Sequence, residues 1–516
     1  MGATGAAVAL GAPAARAATR SGAPTTRHAD VVVVGAGIAG LTTARLLRAE
    51  GMSVIVVEAR SRVGGRTLNQ DLAANGYPGR VVEMGGQFAG PLPGEPPVST
   101  VPGQAVYRPQ NKIVALARQL GIATFKTYNA GDYVNVADGI RTLYNSSSRL
   151  PIDPGTVDAG LAVALLNGLA KQVNPATPWS SPNAEAWDAQ TVESWIRTTL
   201  VPPSDPGSVT NHLVTLAIEE VLSVEPREIS LLWLLTYIAN AGSLDNLINT
   251  ANGAQDSRFV GGSQAISLAM AAELGEDLML GSPVRALDQR PGGVTVSGVG
   301  FTVTGSRAVV ALPPALAGRI AYTPTLAAVT PAGFRRDQLT QRWPMASILK
   351  VNVIYSHPFW RDAGLAGQVT SDRGAVRATF DNTPYPDSQG ADVTPGALLC
   401  FVEADEARTW SARSRTERYK QVLSDLAVYF GPQARSPLGG TAGYYEALWN
   451  LEEFSGGGPT GFPTPGTLTD YGSALRAPIG LLHWAGTETA TRWTGYMDGA
   501  VDSAERVAAE VVAALG

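Results

Sequence analysis

A chain of 516 residues is long enough for two to four domains, or for two large ones built from interleaved segments. Its 45% hydrophobic and 16% charged composition, with 10 Trp, supplies a sizeable core and excludes a disordered chain. A net charge of −5 argues against a broad basic surface for nucleic acid, and the lone cysteine, Cys400, excludes an internal disulfide and any cysteine-built zinc or iron–sulfur site. The four histidines, His28, His212, His357 and His483, lack ligand spacing, so no metal is expected. No apolar run reaches the roughly 20 residues that span a bilayer.

Residues 1–29 are rich in Ala and Gly, with Arg16 and Arg20 as the first charges. They read as a disordered tail, or as the remnant of an export signal ending near Ala15-Arg16-Ala17, so cytoplasm and export both stay open. Asp30–Val34 reads as a buried parallel strand, Leu41–Glu50 as a helix with Leu41, Ala44 and Leu47 on one face, and Val54–Val57 as a second strand. Pro91–Pro109 is a Pro- and Gly-dense loop, and Asn111–Leu120 returns to helical periodicity. Pro175–Pro182 and Pro202–Gly207 are further loops, and Leu213–Ile238 is apolar and helix-rich. Val260-Gly-Gly-Ser-Gln opens another helix, followed by strands at Val294–Val296, Phe301–Val303 and Ala308–Leu312. Met345–Tyr355 reads as a strand, and a Gly-punctuated turn after Thr489 leads into a long helix over Ala500–Leu515.

Chemistry enters at Gly35-Ala36-Gly37-Ile38-Ala39-Gly40, a GxGxxG between strand and helix. Gly35 allows a tight turn, Gly37 lets a pyrophosphate approach the backbone, and Gly40 lets the helix pack on the strand. The free N–H groups and dipole at the helix start favour an anion. Glu58 ends the second strand 18 residues after Gly40, where its carboxylate would accept from ribose hydroxyls and repel a 2′-phosphate. NAD and FAD both fit this much. Ser61-Arg62-Val63-Gly64-Gly65-Arg66-Thr67 points to FAD: a glycine pair flanked by two guanidinium groups can wrap a long anionic cofactor, with Arg66 able to pair one of its oxygens bidentately.

Glu58-Ala59-Arg60 running into that loop after GAGIAG resembles the N-terminal signature of the flavin amine oxidase family, with the monoamine oxidases nearest. Further matching blocks are Glu83-Met84-Gly85-Gly86-Gln87-Phe88, Val224–Trp233, Arg258-Phe-Val-Gly-Gly-Ser, Ala346–Lys350 with Pro358-Phe-Trp360, and Trp484–Ala500. The resemblance implies an α/β fold. A discontinuous Rossmann-like FAD-binding domain (30–110, 245–339, 452–516) would interleave with an α+β substrate domain (111–244, 340–451). It also implies that Ile38, Ala39, Met84, Gly85, Gly86, Gln87, Val284, Gly486, Glu488 and Met497 join the glycines, Glu58, Ala59, Arg60 and Arg66 around FAD.

The implied activity is oxidation of a small primary or secondary amine to an imine, with H2O2 formed from O2. The cofactor carries the redox step; the protein positions and desolvates the amine, which reacts neutral. Lys350 matches the family lysine that holds a water against flavin N5. Tyr496 matches one wall of the aromatic cage, and Trp449 an aromatic beside the ring. Phe88 and Asn240 match pocket residues. Where many relatives carry a flavin-bonded cysteine and a second cage tyrosine, this chain has Gly458 and Pro459, so FAD should be non-covalent, and Phe462 or Phe88 would have to complete the cage.

The competing readings share the scaffold. An L-amino-acid oxidase needs a pocket arginine, for which Arg108 is the candidate. A polyamine oxidase needs acidic residues, for which Glu219, Glu220 and Asp245 are candidates. A dehydrogenase slow with O2 and a non-catalytic FAD-binding module complete the set. The expected partners are a small amine and O2, with no nucleic acid and no transmembrane anchor; a homodimer is compatible with the sequence, which leaves oligomeric state open.

Overall fold

The structure is a computed structural model that describes residues 25–97, 106, 108–145, 156–199, 209–385 and 395–516. The Ala15-Arg16-Ala17 site, most of the N-terminal tail, the Pro202–Gly207 loop and the middle of the Pro91–Pro109 loop lie outside the described residues. Four consecutive valines form β1 (Val31–Val34), buried on both faces, as a β-branched run in a parallel sheet requires. Helix α1 (Ile38–Ala49) follows, and β2 (Val54–Val57) returns parallel to β1 in the register Val31 to Val54. Around this unit stands a five-stranded parallel sheet in the order Leu278–Met279, β2, β1, Arg307–Val310, Leu482–Trp484. Three distant stretches of chain therefore build one sheet. The C-terminal helix Met497–Leu515 begins three residues before the expected Ala500 and shares an apolar cluster with α1 through Val501, Val507 and Val511. One expectation is corrected here. Thr25–His28 is not tail but a strand, paired in parallel with Phe301–Thr304 in a second, mixed sheet.

A helical layer covers one side. Helices α2 (Val209–Leu222) and α3 (Leu231–Ala241) contribute to the largest apolar cluster, where Trp233 meets Trp343 edge-on at 4.9 Å. Helix α3 is buried nearly all round, which fits its almost unbroken run of apolar residues.

The third layer is a seven-stranded sheet containing β3 (Ile348–Tyr355), β4 (Ala378–Asp381) and β5 (Gly396–Glu403), with β5 between the other two. The strand expected from Met345 starts at Ile348. Strands β3 and β5 are antiparallel, with Lys350 opposite Phe401 and Ile348 opposite Glu403. Alternation sorts the two faces. Leu349, Val351 and Val353 face an apolar core with Leu398, Cys400 and Val402, so Ile348, Lys350, Phe401 and Glu403 must point the other way.

Candidate functional site

The layers enclose a cavity of about 340 Å³ that runs from the glycine turn of the parallel sheet to the open face of β3 and β5. At its first end, Gly35 holds φ +105°, and a Cβ there would come 2.9 Å from the Ala311 carbonyl oxygen. Gly40 lies behind the wall: a Cβ would sit 2.0 Å from the Gly35 carbonyl oxygen, so it sets helix packing and does not line the cavity. Gly37 does line it, and a Cβ there would meet nothing nearer than Gly65 Cα at 3.9 Å, which leaves the backbone open to a ligand. Leu41 N–H is the first in α1 to donate to a backbone carbonyl, so the preceding amides keep their donors for an anion. Glu58 is fixed by the Ala36 N–H at 2.8 Å and the Arg60 N–H at 2.9 Å, one on each oxygen, which leaves lone pairs for ribose hydroxyls. Ile38, Ala39, Ala59, Arg60, Gly64, Gly65 and Val284 complete this end. The buried Nε of Arg60 has no hydrogen-bond partner among the described residues. An open glycine cradle, unused helix N–H groups and an orphaned guanidinium nitrogen fit an anionic dinucleotide.

Arg66 lines the cavity, but its bidentate partner is protein. Its two terminal nitrogens donate to the Glu488 oxygens at 2.6 and 3.1 Å, and one of them also donates to the Pro459 carbonyl. The bidentate capacity expected to serve a cofactor oxygen is thus engaged by Glu488 in this structure. Glu488 itself sits behind the wall. Burial works to raise its carboxyl, but the adjacent Arg66 guanidinium and the Gly461 N–H outweigh this and hold it below the ordinary carboxylate range.

In the middle stand Gly85, Gly86, Gln87, Lys350 and Trp449, with Gly486, Tyr496 and Met497 from the C-terminal block. Gly85 has no room for a Cβ, which would lie 2.1 Å from the Arg66 carbonyl oxygen. Lys350 is 3% exposed and donates to the Gly85 carbonyl and to Gln87 Oε1, each at 2.5 Å. Burial pushes its ammonium down to about 7; Glu83 opposes this and Arg258 adds to it. A relay fixes Gln87: its Nε2 donates to Asn382, Asn382 to Asn352, and Asn352 to the Glu83 carbonyl. Trp449 Nε1 donates to the Met84 carbonyl at 2.7 Å, so Met84 orients the tryptophan from behind.

The other end is aromatic and apolar. Phe88 packs on Phe380 at 5.3 Å and Phe380 on Phe401 at 5.8 Å. Tyr496 stands 6.0 Å from Tyr237 and 5.0 Å from Trp493, and burial raises the phenols of Tyr496 and Tyr237, so both stay neutral donors. Pro459 and Gly458 line the cavity. Phe462 does not; it is packed in the helical core. Asn240 is also displaced from its expected place. It is 1% exposed, and its side-chain amide turns back to the Thr236 carbonyl of its own helix, while Tyr237, three residues earlier, takes the cavity position. Arg108 is engaged with the Ala239 and Asn240 carbonyls, and Asp245 accepts from buried Asn167; neither lines the cavity. Sequence reasoning missed Tyr237, Gln255, Phe380, Phe401 and Glu403. For the strand residues the findable signal was alternation, because Phe401 and Glu403 share the parity that exposes Lys350.

Among the described residues no helix is long and apolar enough to cross a membrane. The family described as flavin containing amine oxidoreductase matches residues 38–512. The Mycobacterium tuberculosis protein AofH, named as a flavin-containing monoamine oxidase, is 37% identical over 94% of this chain and 97% of its own length. Mouse flavin-containing amine oxidase B is 32% identical over 94% and 86%. Among solved structures, putrescine oxidase bound to putrescine superposes with a TM-score of 0.82 at 31% identity, covering 95% of this chain and all of that one. Cyclohexylamine oxidase from Brevibacterium oxydans gives 0.82 at 30%, over 94% and 99%.

Proposed function

The chain belongs to the flavin-containing amine oxidoreductase family, is a flavin-dependent amine oxidase, and from that premise we propose how its own residues carry the reaction. Bound FAD would supply the redox chemistry, uptake of a hydride equivalent from the carbon beside the amine nitrogen and transfer of two electrons to O2, so that H2O2 and an imine that water hydrolyses are the products. The glycine turn, the α1 amides and Glu58 would hold the dinucleotide half. Gly85, Gly86, Gln87, Trp449 and Tyr496 surround the place for the ring.

Phe88, Phe380, Phe401, Tyr237 and Tyr496 exclude water from the amine. That favours its neutral form, whose lone pair assists C–H cleavage. Lys350 keeps a buried nitrogen at the junction of the two halves. Two of its hydrogens are taken by Gly85 and Gln87, and the remaining capacity can hold a water or place positive charge where O2 is reduced. The buried Lys350 on an otherwise apolar strand face is the observation that carries this assignment of roles.

The same reading makes the flavin non-covalent. Cys400 lies on the opposite face of β5, packed with Leu398 and Val402 and away from the cavity. It also favours amines over amino acids, since Arg108 does not line the cavity and its Nη1 donates to the Ala239 and Asn240 carbonyls. The test is a coupled measurement with purified holoenzyme: an amine should release equal amounts of H2O2 and carbonyl product, and acid precipitation should leave the yellow cofactor in the supernatant. Yellow pellets would refute non-covalent binding, and no peroxide from any amine would refute the proposed roles.

A further inference from the structure

Two carboxylates open into the same cavity from walls that the dinucleotide does not use. Glu220 comes from the last turn of α2 and Glu403 from the end of β5. Glu403 is 2% exposed. One of its oxygens accepts the Ser223 hydroxyl at 2.9 Å, and the other, Oε2, is buried with no hydrogen-bond partner among the described residues. Ser223 itself sits in the left-handed region at φ 55°, uncommon for a residue with a side chain. The Glu220 carboxylate makes no hydrogen bond or ion pair with the described residues. The nearby cation, Arg377, is committed to Glu406 and the Asp372 carbonyl.

Burial first, then the charge of Glu220, drives the Glu403 carboxyl upward, and burial raises Glu220 to about 7. Burial favours the protonated form of both acids, and a cation bound between them would draw the pair to the carboxylate form and stabilise it.

Register places this pair relative to the reacting end. Glu403 lies two residues beyond Phe401, which is directly opposite Lys350, and all three share one face of the sheet. Such diagonal neighbours stand roughly 7–8 Å apart. Glu220, Glu403 and Tyr496 all line the one cavity, so the acidic pair and the aromatic wall belong to one enclosure. Ile348, Phe401 and Val221 line the same cavity and offer an apolar surface suited to methylene groups.

We propose that Glu403 and Glu220 form a cation subsite that selects amines carrying a second ammonium group, so that the substrate is a diamine of four or five carbons or an amine of similar charge and reach. The inference rests on the amine oxidase roles proposed above. One nitrogen is delivered neutral beside Tyr496 and Lys350, while the other stays protonated between the carboxylates and fixes how deep the chain enters. Ser223 is a positioning residue that aims Glu403.

The test is anaerobic flavin reduction of the holoenzyme by 1,4-diaminobutane and 1,5-diaminopentane, each against the monoamine of the same chain length. The proposal expects the diamine to exceed its monoamine by at least tenfold in the ratio of reduction rate to dissociation constant. Glu403→Gln should lower that preference at least tenfold, with the effect in binding and not in the limiting rate. Glu220→Gln supplies the second variant, since its carboxylate has no hydrogen-bond or ion-pair partner among the described residues to lose. A preference near one in the wild type, or one unaltered in both variants, overturns the cation subsite and leaves amine oxidation standing. A flavin that no amine bleaches overturns the subsite and the roles beneath it together.

Discussion

Lys350 shows how much one side chain can be asked to do. It was conspicuous in the sequence because a lysine breaks an apolar strand, but its partners were not, since Gly85 and Gln87 lie more than 260 residues away in the chain. Lys350→Met keeps length and apolar bulk and removes the charge. The expected result is a fall of about 10²–10³ in the rate of reoxidation by O2, with a smaller effect on reduction by amine, both read by rapid mixing. The Arg66–Glu488 pair is the second residue-scale case. The sequence suggested a guanidinium for the cofactor; the structure pairs it with a carboxylate 1% exposed, to which no local pattern pointed. Glu488→Gln should destabilise the protein by roughly 2–4 kcal/mol in denaturant unfolding and weaken FAD retention, because a half-buried guanidinium is left facing a neutral amide.

The elements that announced themselves were those with strong local rules. A valine run, a glycine turn and an amphipathic helix specified β1 and β2 within a residue, while α1 begins at Ile38, three residues before the expected Leu41. Thr25–His28 was misread because its burial pattern is mostly exposed and its pairing partner lies near residue 301, so nothing local marks it as a strand. Asn240 failed for a related reason: helical phase, not residue type, decides what faces the cavity, and Tyr237 holds that phase. Two tests belong at this scale. Gly40→Val should yield protein without flavin absorbance, since the added atoms collide with the Gly35 carbonyl. Asp498, fully buried in the first turn of the C-terminal helix, accepts the Lys112 and Ile113 N–H groups, yet burial lifts its carboxyl to about 6. A carboxyl raised on folding gives a contribution that is complete below about pH 4 and lost as pH rises through 6. Asp498→Asn keeps an acceptor for both N–H groups and should remove up to roughly 3 kcal/mol of that pH-dependent loss, visible in urea unfolding at pH 4 against pH 7.

Across the whole molecule, three stretches of chain make one parallel sheet and a separate sheet supplies the catalytic face, so the cavity exists only when every layer is assembled. The family blocks in the sequence carried this information, and periodicity did not, because interleaving is a long-range property. A cofactor bridging the layers should stabilise all of them. At FAD concentrations about 100 times its dissociation constant the holoenzyme should gain roughly 2.7 kcal/mol over the apoprotein, measured as a rise in melting temperature with added FAD. The central claim is that this cavity brings an amine carbon to an oxidised flavin beside Lys350 and Tyr496. Its most direct test is stopped-flow flavin absorbance of the holoenzyme mixed anaerobically with amines and then with air. The account predicts rapid bleaching by amines and a fast return of colour with peroxide. A flavin bleached only by amino acids, or one that stays reduced in air, would contradict it.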